Sequence, residues 1–127
     1  MNELEENCPF CRLEKIDFVD GTRGAIAFFD KFPVSKGHTL VVPARHVGNY
    51  FDLSAEEQCE LWTLVNRCKG ILDERFHPDG YNVGINCGEC AGQSIGHVHI
   101  HLIPRYEGDM ENPKGGVRGV IPSKQGY

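Results

Sequence analysis

The run 97-HVHIHLI-103 constrains this chain more tightly than any other stretch. Apolar Val98, Ile100 and Leu102 alternate with His97, His99 and His101. Successive side chains of a strand point to opposite faces, so this period of two describes a strand with one apolar face and one imidazole face. The apolar row needs a covering layer, and the chain supplies one. Ser54 with Glu57 three residues later makes a capping box, after which Leu61, Leu64, Val65, Cys68, Ile71 and Leu72 recur at helical spacing. Pro78-Asp79-Gly80 stops that helix. A strand packed under a long helix, with its histidines turned away, is the kernel of the expected fold.

Four further strands surround it. Residues 16-IDFVD-20 and 24-GAIAFFD-30 flank Gly21-Thr22-Arg23 as a hairpin, 39-TLVVP-43 is β-branched, and 81-YNVGIN-86 is apolar at alternate positions. A shorter helical turn falls between Val47 and Leu53. Mostly adjacent strands with one long and one short helix give an α+β class: a five-stranded antiparallel sheet covered on one face. The 127 residues form a single domain, 1–127, with an irregular arm from Glu107 to Tyr127 that is rich in Gly and Pro.

The formal charge of −5 provides no basic field for nucleic acid, so any phosphate must be held by local donors. The start MNELEENCPF lacks an apolar leader segment, and no apolar run reaches membrane-spanning length. The expectation is a cytoplasmic protein with reduced thiols, no membrane association and no nucleic-acid partner. Its six cysteines then read as metal ligands or buried small residues rather than as disulfides.

Three histidines in a line cannot easily converge on one ion. Their backbone positions advance roughly 6.6 Å per pair, which separates the outer two by about 13 Å. Chemistry on an anion fits better: one neutral imidazole attacks while another binds charge. Upstream, 84-GINCGECAGQS-94 places Gly84, Gly88 and Gly92 beside Asn86, Gln93 and Ser94, and such a loop brings backbone N–H groups close to a phosphate.

The run 97–103 fits the His-φ-His-φ-His-φ-φ signature, with φ an apolar residue, and the chain resembles the histidine triad superfamily of nucleotide hydrolases and transferases. Both 28-FFDKFPVSKGHTLVVPARHV-47 and 86-NCGECAGQSIGHVHIHLIPR-105 look like that family, in the right order, over roughly residues 8–121, and 107-EGDMENPKGGVRGVIP-122 is similar to its diadenosine-polyphosphate-hydrolase-like members. The resemblance implies that His99 attacks the α-phosphate of a nucleotide conjugate, giving a nucleotidyl-histidine that water hydrolyses. His101 would contact the phosphate, with His38 in support. Ser94 and Gln93 would touch the phosphate or leaving group, Asn86 and Gly92 the phosphate side, and Asp30 the ribose hydroxyls. On the residues alone Asp30 reads as an ordinary turn residue and His38 as a surface group. The family also implies a homodimer in which two sheets join into ten strands. It implies no organic cofactor.

Cys8 and Cys11 form a Cys-x-x-Cys pair in an N-terminal, zinc-knuckle-like segment, 1–15, and such a pair needs two further ligands. Cys87 with Cys90 would complete the set on spacing alone. Related proteins instead carry structural zinc on positions that correspond here to Cys8, Cys11, His46 and His97. That mixed set is favoured, because Cys87 and Cys90 lie in the loop assigned to phosphate. Cys59 and Cys68 read as packing residues of the helix. Phe28, Phe29 and Phe32 serve equally as base-pocket or core residues. Two other classes stand beside the nucleotidyl hydrolase: a metal-dependent phosphohydrolase using His99, His101 and His38 as ligands, and a nucleotide-binding module without catalysis.

Overall fold

The computed structural model describes residues 7–11 and 17–127. Ile16, where the first strand was expected to begin, and most of segment 1–15 lie outside the described residues. Strands β1 (Phe18–Gly21), β2 (Ala25–Phe29) and β3 (Thr39–Pro43) run as an antiparallel meander. Helix α1 (Ala55–Phe76) follows, then β4 (Gly80–Ile85) and β5 (Ile100–Arg105). The five strands form one antiparallel sheet, as the sequence pattern leads one to expect, and their order is β1-β2-β3-β5-β4. β5 therefore lies between β3 and β4.

Alternation sorts the sheet into two faces. Ala25 and Ala27 of β2, Val41 of β3, and Val98, Ile100 and Leu102 pack with Leu61, Leu64, Val65, Cys68 and Leu72 of the helix. The expected apolar row and helical stripe meet as the main core. Ile71 is half-buried at its margin. On the opposite face Phe28, Leu40 and Val42 make a second cluster with Phe10 and Ile26. Phe28 pairs with Leu40, and Leu40 with His101, so one row crosses three strands toward the histidines. β3 is buried along its whole length because both layers cover it.

Three expectations need correction. The histidine strand is expected from His97, whereas its ladder begins at Ile100, which pairs with Val41 of β3 and with Ile85, the last residue of β4. The Val98 N–H goes instead to the Val47 carbonyl at 2.8 Å, outside the sheet. The short helix shrinks to one 3-10 turn, Tyr50–Asp52, capped by the Asn49 side chain. Cys59 is exposed rather than packed, since it falls off the helical stripe, while Cys68 is fully buried. The arm from residue 107 holds two further 3-10 turns, Gly116–Val120 and Pro122–Lys124.

Helix α1 opens on the capping box read from the sequence. The Ser54 hydroxyl accepts the Glu57 N–H at 3.1 Å, and the Glu57 carboxylate accepts the Ser54 N–H at 2.9 Å. Arg45 then donates two bonds to the same carboxylate, at 2.6 and 3.0 Å. The Arg45 bonds, followed by the Ser54 N–H, hold the Glu57 carboxyl down at about 2. The far end closes on His77 in the left-handed conformation (φ 53°), one residue before Pro78. Replacing Glu57 by Gln keeps the box but removes the charge. A loss of up to about 1 kcal/mol at neutral pH is expected, because the pair is partly solvated. A depressed carboxyl stabilises above its unfolded value of 4.5 and loses that contribution as pH falls toward 2. Urea unfolding of both proteins should therefore diverge at pH 7 and converge near pH 2.

Candidate active site

The loop between β2 and β3 fixes two polar side chains. The Asp30 N–H donates to the His38 carbonyl at 3.0 Å, closing the loop. Asp30 Oδ1 accepts the Phe32 N–H at 2.9 Å, a turn in which the side chain replaces a backbone carbonyl. His38 is buried, 2% exposed, not the surface group that its isolation in the sequence suggests. Its Nδ1 accepts the Val34 N–H at 3.0 Å, so the ring proton sits on Nε2. That proton is donated to His101 Nδ1 at 3.0 Å, which leaves His101 with its own proton on Nε2. Asp30 Oδ2 lies 3.6 Å from His38 Nε2.

His99 is set the opposite way. Its Nδ1 is 2.9 Å from the His97 carbonyl, an acceptor only, so Nδ1 carries the proton and Nε2 keeps a bare lone pair. The rings of His99 and His101 stand 4.9 Å apart between centroids. Burial, and after it the neighbouring His99 and His38, push His101 down to about 4. Burial likewise lowers His38 and His97. The hydrogen bonds thus set opposite tautomers, with the proton of His99 on Nδ1 and that of His101 on Nε2.

These groups open onto a cavity of about 430 Å³. His99, His101, Asp30, Asn86, Gly92 and Ser94 contribute polar lining, and Phe10, Phe28, Phe32, Leu40 and Ile95 contribute apolar wall. Gly92 takes φ 96°, a conformation that favours glycine, with the Asn86 amide 3.8 Å from where a Cβ would stand. The three phenylalanines divide: Phe28 and Phe32 face the cavity, while Phe29 joins the helix-side core. Gln93 stands apart from the cavity lining. Its carbonyl oxygen accepts the Gly88 N–H at 2.9 Å, and its amide donates to the carbonyls of Gly48 and Ile95 at 2.7 and 3.0 Å. It braces the loop that carries Asn86, Gly92 and Ser94.

A second cluster gathers around His97. His97 Nε2–H donates to the Pro43 carbonyl at 2.9 Å, which frees Nδ1 toward the cysteines. Nδ1 is 3.4 Å from Cys8 Sγ and 3.5 Å from Cys11 Sγ, and His46 Nδ1 is 3.4 Å from Cys11 Sγ. All four ligand atoms lie within 4.8 Å of one another. A tetrahedral zinc ion with bonds of about 2.0 to 2.3 Å separates its ligands by roughly 3.5 Å, so the residues fit such an ion. Cys87 and Cys90 are outside this group.

Sequence reasoning missed Phe10. It lies in the Cys-x-x-Cys turn, 5.0 Å from the His99 ring and 5.3 Å from Phe28 between centroids. The signal was present: a residue between two ligands must follow them, and His97 is two positions from His99. Asp17 and Lys31, also on the cavity, carried no such signal.

The HIT domain family matches residues 16–108. An uncharacterised HIT-like protein of Methanocaldococcus jannaschii is 39% identical over 115 residues, covering 86% of this chain and 87% of that protein. This chain belongs to the HIT domain family. The bis(5'-adenosyl)-triphosphatase of Dictyostelium discoideum is 42% identical over 91 residues, 72% of this chain and 61% of that protein. Among solved structures, a zinc-bound histidine triad protein of Mycobacterium smegmatis superposes with a TM-score of 0.75 at 29% identity, covering 84% of this chain and 80% of its own. The HIT fold of these relatives agrees with the five-stranded sheet and single long helix. No helix among the described residues is long and apolar enough to cross a membrane.

The tautomer assignments can be checked directly. In nitrogen-15 spectra of histidine-labelled protein, His101 should stay neutral with its proton on Nε2 at pH 6 and titrate near 4. An Nδ1–H signal for His101, or a midpoint near 6.5, would contradict the hydrogen-bond chain from Val34.

Proposed function

We propose that the chain is a nucleotidyl hydrolase or transferase that cleaves adenine nucleotide conjugates at the α-phosphate through a covalent adduct on His99. The observation that carries this reading is the His99 Nδ1 bond to the His97 carbonyl, which leaves Nε2 as a lone pair at the cavity wall. Nε2 attacks phosphorus, the N–P bond to His99 forms, and the bond to the leaving group breaks, P–O in a polyphosphate or P–N in a phosphoramidate. His101 Nε2–H is placed to donate to a phosphate oxygen as its charge builds, with Asn86 and the Ser94 hydroxyl on the same cavity. His38 holds His101 in the donating tautomer. Water then attacks the same phosphorus, breaking the N–P bond and releasing the nucleoside monophosphate with His99 neutral again. Asp30 supplies a carboxylate for the ribose hydroxyls, which suits a cis-diol. Dinucleoside polyphosphates and nucleoside phosphoramidates both offer such a phosphorus. The named activity of the Dictyostelium relative supports the first of these.

Cys8, Cys11, His46 and His97 would hold a structural zinc ion, which ties the Phe10 turn to the strand behind His99. The chain acts as a homodimer in this reading, its exposed edge strand offering pairing for a second sheet.

Replacing His99 by Ala or Asn should lower turnover by roughly four orders of magnitude or more while nucleotide binding persists. Turnover near wild type in either variant would sink the mechanism. Elemental analysis of protein purified without chelator should give one zinc per chain, lost in Cys8→Ser. Zinc-free native protein would refute the metal assignment.

A further inference from the structure

Two carboxylates line the cavity, Asp17 and Asp30, and the proposed reaction uses only the second. Asp17 stands immediately before β1 and shares the cavity wall with Phe10, Phe28 and Phe32. We propose that Asp17 selects the base of the nucleotide by accepting a hydrogen bond from the amino group of adenine; this rests on the cavity being the nucleotide site.

The sheet order sets the positions. β1 lies at the outer edge, three strand spacings from β5, or about 14 Å. His99 comes one residue before β5, Asp30 one residue after β2, and Asp17 one residue before β1. A nucleotide laid across the strands with its phosphate at His99 and its ribose at Asp30 therefore carries its base toward Asp17. The wall at that end is aromatic: the rings of Phe10 and Phe28 are 5.3 Å apart between centroids. Such a surface takes the flat face of any base, since every base has a π-face, and so does not tell one from another. Discrimination needs a polar group at the edge of the ring.

Asp17 has the chemistry for that task. It is half-buried, and it makes no hydrogen bond or ion pair among the described residues, not even with Lys31 of the same cavity. An ionised carboxylate accepts hydrogen bonds and donates none. A base edge that offers an N–H satisfies it, whereas an edge of lone pairs leaves two acceptors facing each other, both stripped of water. The N6 amino group of adenine supplies the donor, and a purine without that group does not. Asn86 and Ser94, the cavity's other uncommitted polar side chains, belong to the loop at the phosphate end.

The test is calorimetric titration of the intact protein with AMP, with purine riboside 5'-monophosphate, which lacks only the amino group, and with ribose 5-phosphate. Wild type should bind AMP about tenfold tighter than the purine riboside monophosphate, or more, as for one hydrogen bond to a charged group. In Asp17→Ala that preference should vanish, while ribose 5-phosphate binds as in wild type and so reports an intact fold. In Asp17→Asn, whose amide can donate, IMP should gain on AMP because its 6-oxo group accepts. Equal affinity of wild type for the two purines, a preference that survives Asp17→Ala, or ribose 5-phosphate binding lost together with AMP in that variant would each overturn the proposal. Failure of the underlying reading looks different: wild type would then bind neither AMP nor ribose 5-phosphate, and both ideas would fall.

Discussion

The hydrogen bond from His99 Nδ1 to the His97 carbonyl decides what the site can do. Without it His99 Nε2 could carry the proton and the lone pair could point into the protein. His97 is itself held by the Pro43 carbonyl through Nε2, which turns its Nδ1 toward Cys8 and Cys11. One residue thus meets the cysteine cluster with its side chain and His99 with its backbone. The place where this happens is where the sheet ladder has ended, so the His97 carbonyl is not engaged by a neighbouring strand.

A second chain of bonds runs from the Val34 N–H through His38 to His101 and gives the opposite tautomer. Two histidines on one face of one segment therefore hold complementary forms, a lone pair and a donor. Burial pushes His101 down to about 4, so at neutral pH it offers an N–H rather than a standing cation. In the proposed reaction a donor of this kind would gain most as charge develops on the phosphate oxygens, which would favour the transition state over the bound substrate. The apolar wall of Phe10, Phe28 and Leu40 supplies dry surface beside these groups.

Local pattern made much of this legible. The alternation of Val98, Ile100 and Leu102, the Ser54–Glu57 box and the stripe from Leu61 to Leu72 each depend on neighbours in sequence, and each appears as expected. The strand-spacing estimate that separated His97 from His101 also agrees with their membership of two different clusters. What escaped reading depends on distant contacts. Cys8 meets His97 across 89 residues and His38 meets His101 across 63, so these groupings came from the family resemblance and not from any local window. His38 looked like a surface residue because a histidine flanked by Gly37 and Thr39 has no local sign of burial. The bond from Gln93 to the Gly48 carbonyl spans 45 residues and carries no local signal either.

The two-step route through His99 has a stereochemical consequence independent of trapping any intermediate. Each in-line displacement inverts phosphorus, so two in succession restore it. The decisive measurement is the configuration of the product from a dinucleotide with a chiral α-phosphorothioate, hydrolysed in isotopically labelled water. Retention at the α-phosphorus is the result required by attack from His99 Nε2. Inversion would show that water attacks directly, and would contradict a nucleophilic role for His99.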